Sequence, residues 1–158
     1  MLWGIVGRKD MGKTTLAERL VVELRGRGLS VSTLKRTHHA LDLDTPGTDS
    51  HRHRLAGAAQ TVLVSDARLT VMEEMGEPPT LLHALTRLAP VDVVLAEGWK
   101  AGPHPRIEAW RGGAAPLAAG DPSIAAVAAL TAPDVACPVL PLDDPAAVAD
   151  FMLSWTST

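Results

Sequence analysis

Apolar residues recur along this chain in two rhythms. Short runs predict strands at Leu2–Val6 (LWGIV), Gln60–Ser65 (QTVLVS), Leu69–Glu73 (LTVME), Val91–Ala96 (VDVVLA), Ile124–Leu130 and Val139–Leu142. Leu29–Arg36 (LSVSTLKR) alternates apolar with polar and predicts a further strand. The second rhythm is helical. Leu16, Leu20 and Leu24 recur every four residues and form one stripe on a helix over Thr14–Arg27, which Gly26 and Gly28 end. Pro79–Leu88 predicts another helix. A last one runs over Pro145–Trp155, with Val148, Phe151 and Trp155 on one side. Ser50 or Asp49 is placed to cap a short helix through Ala58. His38–Asp49 is polar and turn-rich, and Gly112–Gly120 has the composition of an exposed connection.

Strands that alternate with helices predict an α/β fold. The sheet is mainly parallel and open, with helices on both faces, and the two strands near residues 60–73 form a local antiparallel pair. The chain has 158 residues, 46% of them hydrophobic, enough for one domain over 1–158 that buries roughly two-thirds of its surface. The core is Ala, Val and Leu, because aromatics are limited to four Trp and one Phe. The net charge of −3 provides no global basic field for nucleic acid. No apolar run approaches the ~20 residues of a membrane span. One cysteine excludes an internal disulfide framework, and the N-terminus MLWGIVGRKDMGK lacks a signal-peptide layout, so a cytoplasmic location is expected.

The sharpest motif is GRKDMGKT, Gly7 to Thr14, which satisfies G-x-x-x-x-G-K-[ST] between a predicted strand and a predicted helix. Gly7 and Gly12 let the backbone curl so that its N–H groups converge on phosphate oxygens, and the following helix adds the positive end of its dipole. Lys13 is placed for the β- and γ-phosphates and Thr14 for Mg²⁺. The fold class expected is therefore that of P-loop NTPases. Arg8, Lys9, Asp10, Met11 and the adjoining Thr15 complete the candidate phosphate-binding set. VDVVLAEGWK ends an apolar strand at Glu97, and ligands of open α/β sheets sit beyond the carboxyl ends of the strands. Glu97 is thus a second candidate for Mg²⁺ or for orienting a water. With Lys13 it makes the candidate catalytic pair, and Gly98 permits close backbone approach.

His38–Arg54 (HHALDLDTPGTDSHRHR) holds four of the six histidines and three aspartates. Three readings compete. His38 and His39 face opposite ways on an extended chain, and His51 and His53 are i,i+2, so neither pair has the spacing of a helical zinc site. DTPG (Asp44–Gly47) imitates the D-x-x-G of GTPase switches, but follows HHALDL rather than a buried strand, and no N-K-x-D guanine-reading motif occurs. The third reading is a ligand loop: Asp42 and Asp44 share a face if extended, Lys35 and Arg36 precede, and Arg52 and Arg54 follow. Ten of the fifteen basic residues, including Arg68, Lys100 and Arg106, fall at predicted strand ends or nearby turns, as a crevice for more than one phosphorylated ligand requires. A solvated basic rim is the plainer alternative.

GRKDMGKTTL, the block KRTHHALDLDTPGTDSHRHRLAGAAQTVLVS, and VVLAEGWK with PRIE at Pro105–Glu108 together resemble the MobB family. The resemblance covers roughly residues 2–110. It implies a GTP-binding homodimer with weak GTPase activity that assists MobA, the guanylyltransferase joining GMP to molybdopterin. It places Gly7, Gly12, Lys13 and Thr14 on the family's P-loop, and Glu97 on the acid of its E-G-F-K motif, with Trp99 where Phe is usual. It implies that Lys35, Arg36, His38, Asp42, Asp44, Asp49, Arg68 and Lys100 face a nucleotide or the pterin phosphate, so the expected ligands are GTP, Mg²⁺ and molybdopterin. A P-loop small-molecule kinase with an aspartate base from the 42–49 loop, and a nucleotide-dependent metal chaperone, are the alternatives. Guanine selectivity is not legible; LTAPD (Leu130–Asp134), ending a predicted strand, is the expected base-reading loop.

Overall fold

A computed structural model describes residues 1–37 and 41–156 of the protein. In chain order the elements are β1 (Leu2–Val6), α1 (Lys13–Gly26), β2 (Val31–Lys35), α2 (Asp49–Leu55), β3 (Gln60–Val64), β4 (Leu69–Glu73), α3 (Leu81–Leu85), β5 (Val93–Glu97), β6 (Arg106–Trp110), β7 (Ile124–Ala129), β8 (Val139–Pro141) and α4 (Pro145–Ser154). They form two compact units: Met1–Thr37 with Thr86–Thr158, and His38–Leu85.

The larger unit is a six-stranded, all-parallel sheet in the order β2-β5-β1-β6-β7-β8. The expected α/β class with a mainly parallel sheet is what the chain adopts. β1 is central, and its register sets Ile5 beside Glu97 on one flank and Val6 beside Glu108 on the other. The four-residue rhythm of α1 presses Leu16, Leu20 and Leu24 onto Trp3, Ile5, Leu95 and Ile107, all essentially inaccessible to water. α4 packs beside α1 and adds Val148, Ala149 and Met152 to the same core. Asp144 starts α4 by accepting from Ala147 N (3.0 Å), with Pro145 in the first turn. Arg27 ties the helices together, bonding Glu23 (2.8 Å) on its own helix and Asp150 (2.5 Å) on α4.

β6 was not legible as a strand. Its sequence, RIEAW, alternates Ile107 and Ala109, which enter the α1 core, with Arg106 and Glu108, which are also buried. Charged residues on the second face of a central strand break the apolar run by which such strands are recognised. The Gly112–Gly120 connection is exposed or partly exposed throughout, as expected, and contains a 3₁₀ turn, Leu117–Ala119.

In the smaller unit, β3 and β4 form the expected antiparallel pair, with Val62 opposite Val71 and Val64 opposite Leu69. These four side chains, and Leu63, are about half exposed or more. The cap of α2 is Thr48, one residue before Asp49 and two before Ser50, the expected caps; its hydroxyl accepts from His51 N (3.5 Å).

Leu20 makes the strongest test of the core. Leu20→Ala leaves a void under β1 and is expected to lower stability by about 2–5 kcal/mol, read as a reduced midpoint at unchanged slope in urea unfolding.

Candidate functional site

The phosphate loop is shaped by two close approaches. Gly7, directly after β1, has φ +142°, and a Cβ there would lie 2.6 Å from the Ala109 carbonyl oxygen of β6. Gly12 has φ +91°, and a Cβ there would strike the Arg111 guanidinium at 2.8 Å. The backbone leaves no room for a side chain at Gly7, and the left-handed φ of Gly12 favours glycine there. Gly12 is also the N-cap of α1, so the helix begins with no side-chain cap. Its first-turn N–H groups and its dipole are left for an anion. Lys13 Nζ donates to the Arg8 carbonyl (2.6 Å), so the ammonium lies folded over its own loop. Arg111 N donates to Met11 Sδ (3.4 Å) and Arg8 Nε to the Ala115 carbonyl (3.3 Å), bracing the loop from outside. Lys9 and Asp10 are exposed, and Asp10 takes the left-handed conformation at φ 63°.

The parallel register brings the ends of β1, β2 and β5 together, with Ile5 and Lys35 both paired to Glu97. Thr14 Oγ1 lies 3.2 and 3.3 Å from the two Glu97 carboxylate oxygens, and Lys35 Nζ lies 3.5 Å from one of them. A hydroxyl and a carboxylate at this spacing are hard oxygen donors, the set that suits Mg²⁺ completed by phosphate and water. Gly98 follows with its Cα against the Arg36 carbonyl. Trp99 is buried, and the Arg36 guanidinium sits 5.1 Å above its ring, so the indole acts as a plug.

Periodicity did not reveal what lies on the reverse face of the sheet. Glu108 is fully buried and accepts from Leu117 N (2.8 Å) and Ala118 N (2.9 Å), anchoring the 3₁₀ turn. Arg106 donates to the Lys100 carbonyl and to Ser123 Oγ, and lies 3.5 Å from Asp121. The Ser123 hydroxyl, with Arg106 nearby, holds the Asp121 carboxyl below its usual range. Arg8, Lys100, Arg106 and Asp121 line a cleft of about 540 Å³. Arg111 was likewise outside the candidate set. The signal for it was its position one residue past the end of a strand that the sequence did not disclose.

His38 lies outside the described residues. The remaining loop candidates belong to the smaller unit, where each contacts neighbours of that unit. Asp42 accepts from Asp44 N (3.0 Å) and from Arg54 (2.7 Å), whose guanidinium holds the Asp42 carboxyl below the usual range. Asp44 accepts from Thr45 N (3.0 Å) and Ser50 Oγ (2.9 Å), and Arg54 also bonds Glu74 (2.7 Å). Asp49 pairs with Arg52 at 3.8 Å on the surface of α2. His51 Nδ1 accepts from Gly47 N (3.3 Å). Arg68 closes the β3–β4 turn, its carbonyl accepting from Ser65 N (2.8 Å).

A strand, a capless helix N-terminus behind two glycines of positive φ, and an acid at the end of the neighbouring parallel strand define a P-loop NTPase fold. The family model of molybdopterin guanine dinucleotide synthesis protein B, MobB, matches residues 2–130, and the chain belongs to this family. It is 35% identical over 157 residues to the molybdopterin-guanine dinucleotide biosynthesis adapter protein of Haemophilus influenzae, covering 98% of this chain and 88% of the relative. The adapter protein of Escherichia coli is 34% identical over 151 residues, covering 91% and 86%. Among solved structures, a crystal structure of molybdopterin-guanine biosynthesis protein B superposes with a TM-score of 0.74 at 26% identity, covering 98% of this chain and 97% of that one. Bacillus subtilis MobB superposes with a TM-score of 0.72 at 25% identity, covering 97% and 96%.

His104 gives the site region a pH signature. It is 7% exposed behind Gly4, and burial, with Arg106 beside it, pushes its imidazole below the ordinary value of 6.5. The unfolded chain then binds the proton more readily than the folded one. Stability is expected to fall as pH drops through about 6.5 toward the lower folded value, and His104→Gln is expected to flatten that limb. Urea midpoints measured from pH 7.5 to 5 check both.

Proposed function

We propose that the protein is a GTP-binding adaptor of molybdenum cofactor biosynthesis, assisting MobA in attaching GMP to molybdopterin. The observation that carries the reading is the phosphate loop itself: Gly7 and Gly12 pinned by close contacts, α1 starting without a cap, and Thr14 within hydrogen-bond distance of Glu97. The family relatives, adapter proteins of the molybdopterin-guanine dinucleotide pathway, support the biological role.

In this reading the loop N–H groups take the β-phosphate, and Lys13 leaves the Arg8 carbonyl to reach the β- and γ-oxygens. Thr14 and Glu97 would hold Mg²⁺, directly or through water, and the ion would supply neutralisation of the phosphate charge. Lys35 limits the negative charge around Glu97. Hydrolysis is slow. The chain has one glutamine, Gln60, and it is committed to β3 rather than to either strand end that forms the site. The cleft beside Arg8, Lys100 and Arg106 has the charge for the pterin phosphate. The exposed apolar face of β3–β4 supports a homodimer.

Calorimetric titration of GTP and ATP with Mg²⁺ tests the reading. Wild type is expected to bind GTP and Lys13→Ala to lose at least about 100-fold in affinity, from the loss of charge-assisted bonds to two phosphates. Equal binding by both proteins, or turnover of many GTP per second without a partner, would overturn it. Glu97→Gln is expected to keep nucleotide binding but to weaken its dependence on Mg²⁺; an unchanged Mg²⁺ titration would remove Glu97 from the metal site.

A further inference from the structure

The nucleoside end of the ligand has no assigned place in the site described so far, and the fold restricts where it goes. The metal-binding pair, Thr14 and Glu97, lies on the β5 flank of β1. A triphosphate whose γ-end is drawn to that pair and to Lys13 must send its nucleoside to the opposite flank, over the ends of β6, β7 and β8. A cleft of about 250 Å³ opens there, against Gly12 of the loop and Thr15 of the first turn of α1. That is room for a base, not for a whole nucleotide whose phosphates the loop holds.

Resting on the GTP reading, we propose that this cleft is the purine pocket and that Asp143 is the residue that selects guanine. Leu130 follows β7 and Leu142 follows β8; both line the cleft and supply apolar contact. Arg111 lines it from the end of β6, its guanidinium resting against Gly12. A planar guanidinium in that position stacks on a purine face while its charge faces the phosphates. Asp143 supplies the reader. Its carboxylate is exposed and makes no hydrogen bond or ion pair among the described residues, whereas its neighbour Asp144 is committed to capping α4. Its backbone is fixed on both sides: Leu142 N donates to the Ala129 carbonyl (3.0 Å) and Asp144 N to the Pro141 carbonyl (3.3 Å).

The chemistry is specific. Guanine presents N1–H and the 2-amino group side by side, two donors that one carboxylate accepts together. Adenine presents a lone pair at N1 and no donor at C2, so the same carboxylate repels it. Of the stretch Leu130–Asp134, expected from the sequence to read the base, only Leu130 lines the cleft.

The test is calorimetry on wild type, Asp143→Asn and Asp134→Asn with the Mg²⁺ complexes of GTP, ITP, XTP and ATP. Wild type is expected to prefer GTP, to bind ITP more weakly for want of the 2-amino group, and to bind ATP least. Asp143→Asn is expected to lose about 10- to 100-fold for GTP and to gain XTP, whose C2 carbonyl accepts from the new carboxamide. Circular dichroism melts confirm that the exposed substitution leaves the fold intact. If wild type binds GTP and ATP alike, if Asp143→Asn keeps the wild-type preference, or if Asp134→Asn makes the switch instead, the assignment is overturned while the phosphate-loop reading stands. If wild type binds none of the four, the GTP reading falls and takes this one with it.

Discussion

The contact of Gly7 with the Ala109 carbonyl governs the rest of the site. β1 and β6 run side by side in parallel, and where β1 ends the chain has no room for a side chain. It must curl away at once. The curl delivers Gly12 to the start of α1 in a left-handed conformation, and that conformation denies the helix a capping side chain. The positive end of α1 is thereby exposed at the sheet edge where β5 delivers Glu97. The steric constraint at Gly7 thus shapes the cradle, and the β1–β5 register sets the acid beside it.

A similar economy operates on the reverse face. Arg106 and Glu108 are consecutive outward residues of β6, and neither is left to water. Glu108 is held by two backbone N–H groups of the 3₁₀ turn, and Arg106 by backbone, hydroxyl and carboxylate oxygens. Burial of such groups is tolerated when each finds partners. The result is a connection between β6 and β7 tied to the sheet, forming one wall of the basic cleft.

The architecture was largely legible because its signals are local: the stripe of Leu16, Leu20 and Leu24, the apolar run of β5, and the glycine–lysine spacing between β1 and α1. The Thr14–Glu97 juxtaposition followed from the rule that parallel strands gather their carboxyl ends. What escaped was non-local. β6 hides behind its charges, because their partners lie at Lys100, Leu117, Ala118 and Ser123. Arg111 escaped with it. The aspartates of the 42–49 loop drew attention for the right chemistry, carboxylates near arginines, but Asp42 and Asp44 are engaged with Arg54, Thr45 and Ser50 of their own unit. A sequence lists charges without saying which ones neutralise each other.

The sparse aromatics have an optical consequence. Trp3, Phe151 and Trp155 cluster with ring centroids 5.4–6.0 Å apart and clamp α4 to β1, away from the phosphate loop. Trp110 stands elsewhere, at the end of β6, its indole N–H bonded to the Ala114 carbonyl (2.8 Å) and its neighbour Arg111 resting on Gly12. Its emission is therefore coupled to the loop, while that of Trp3 and Trp155 reports the clamp. With no tyrosine in the chain, emission comes from four tryptophans: Trp110 beside the phosphate loop, Trp99 buried beneath Arg36, and Trp3 and Trp155 in the clamp.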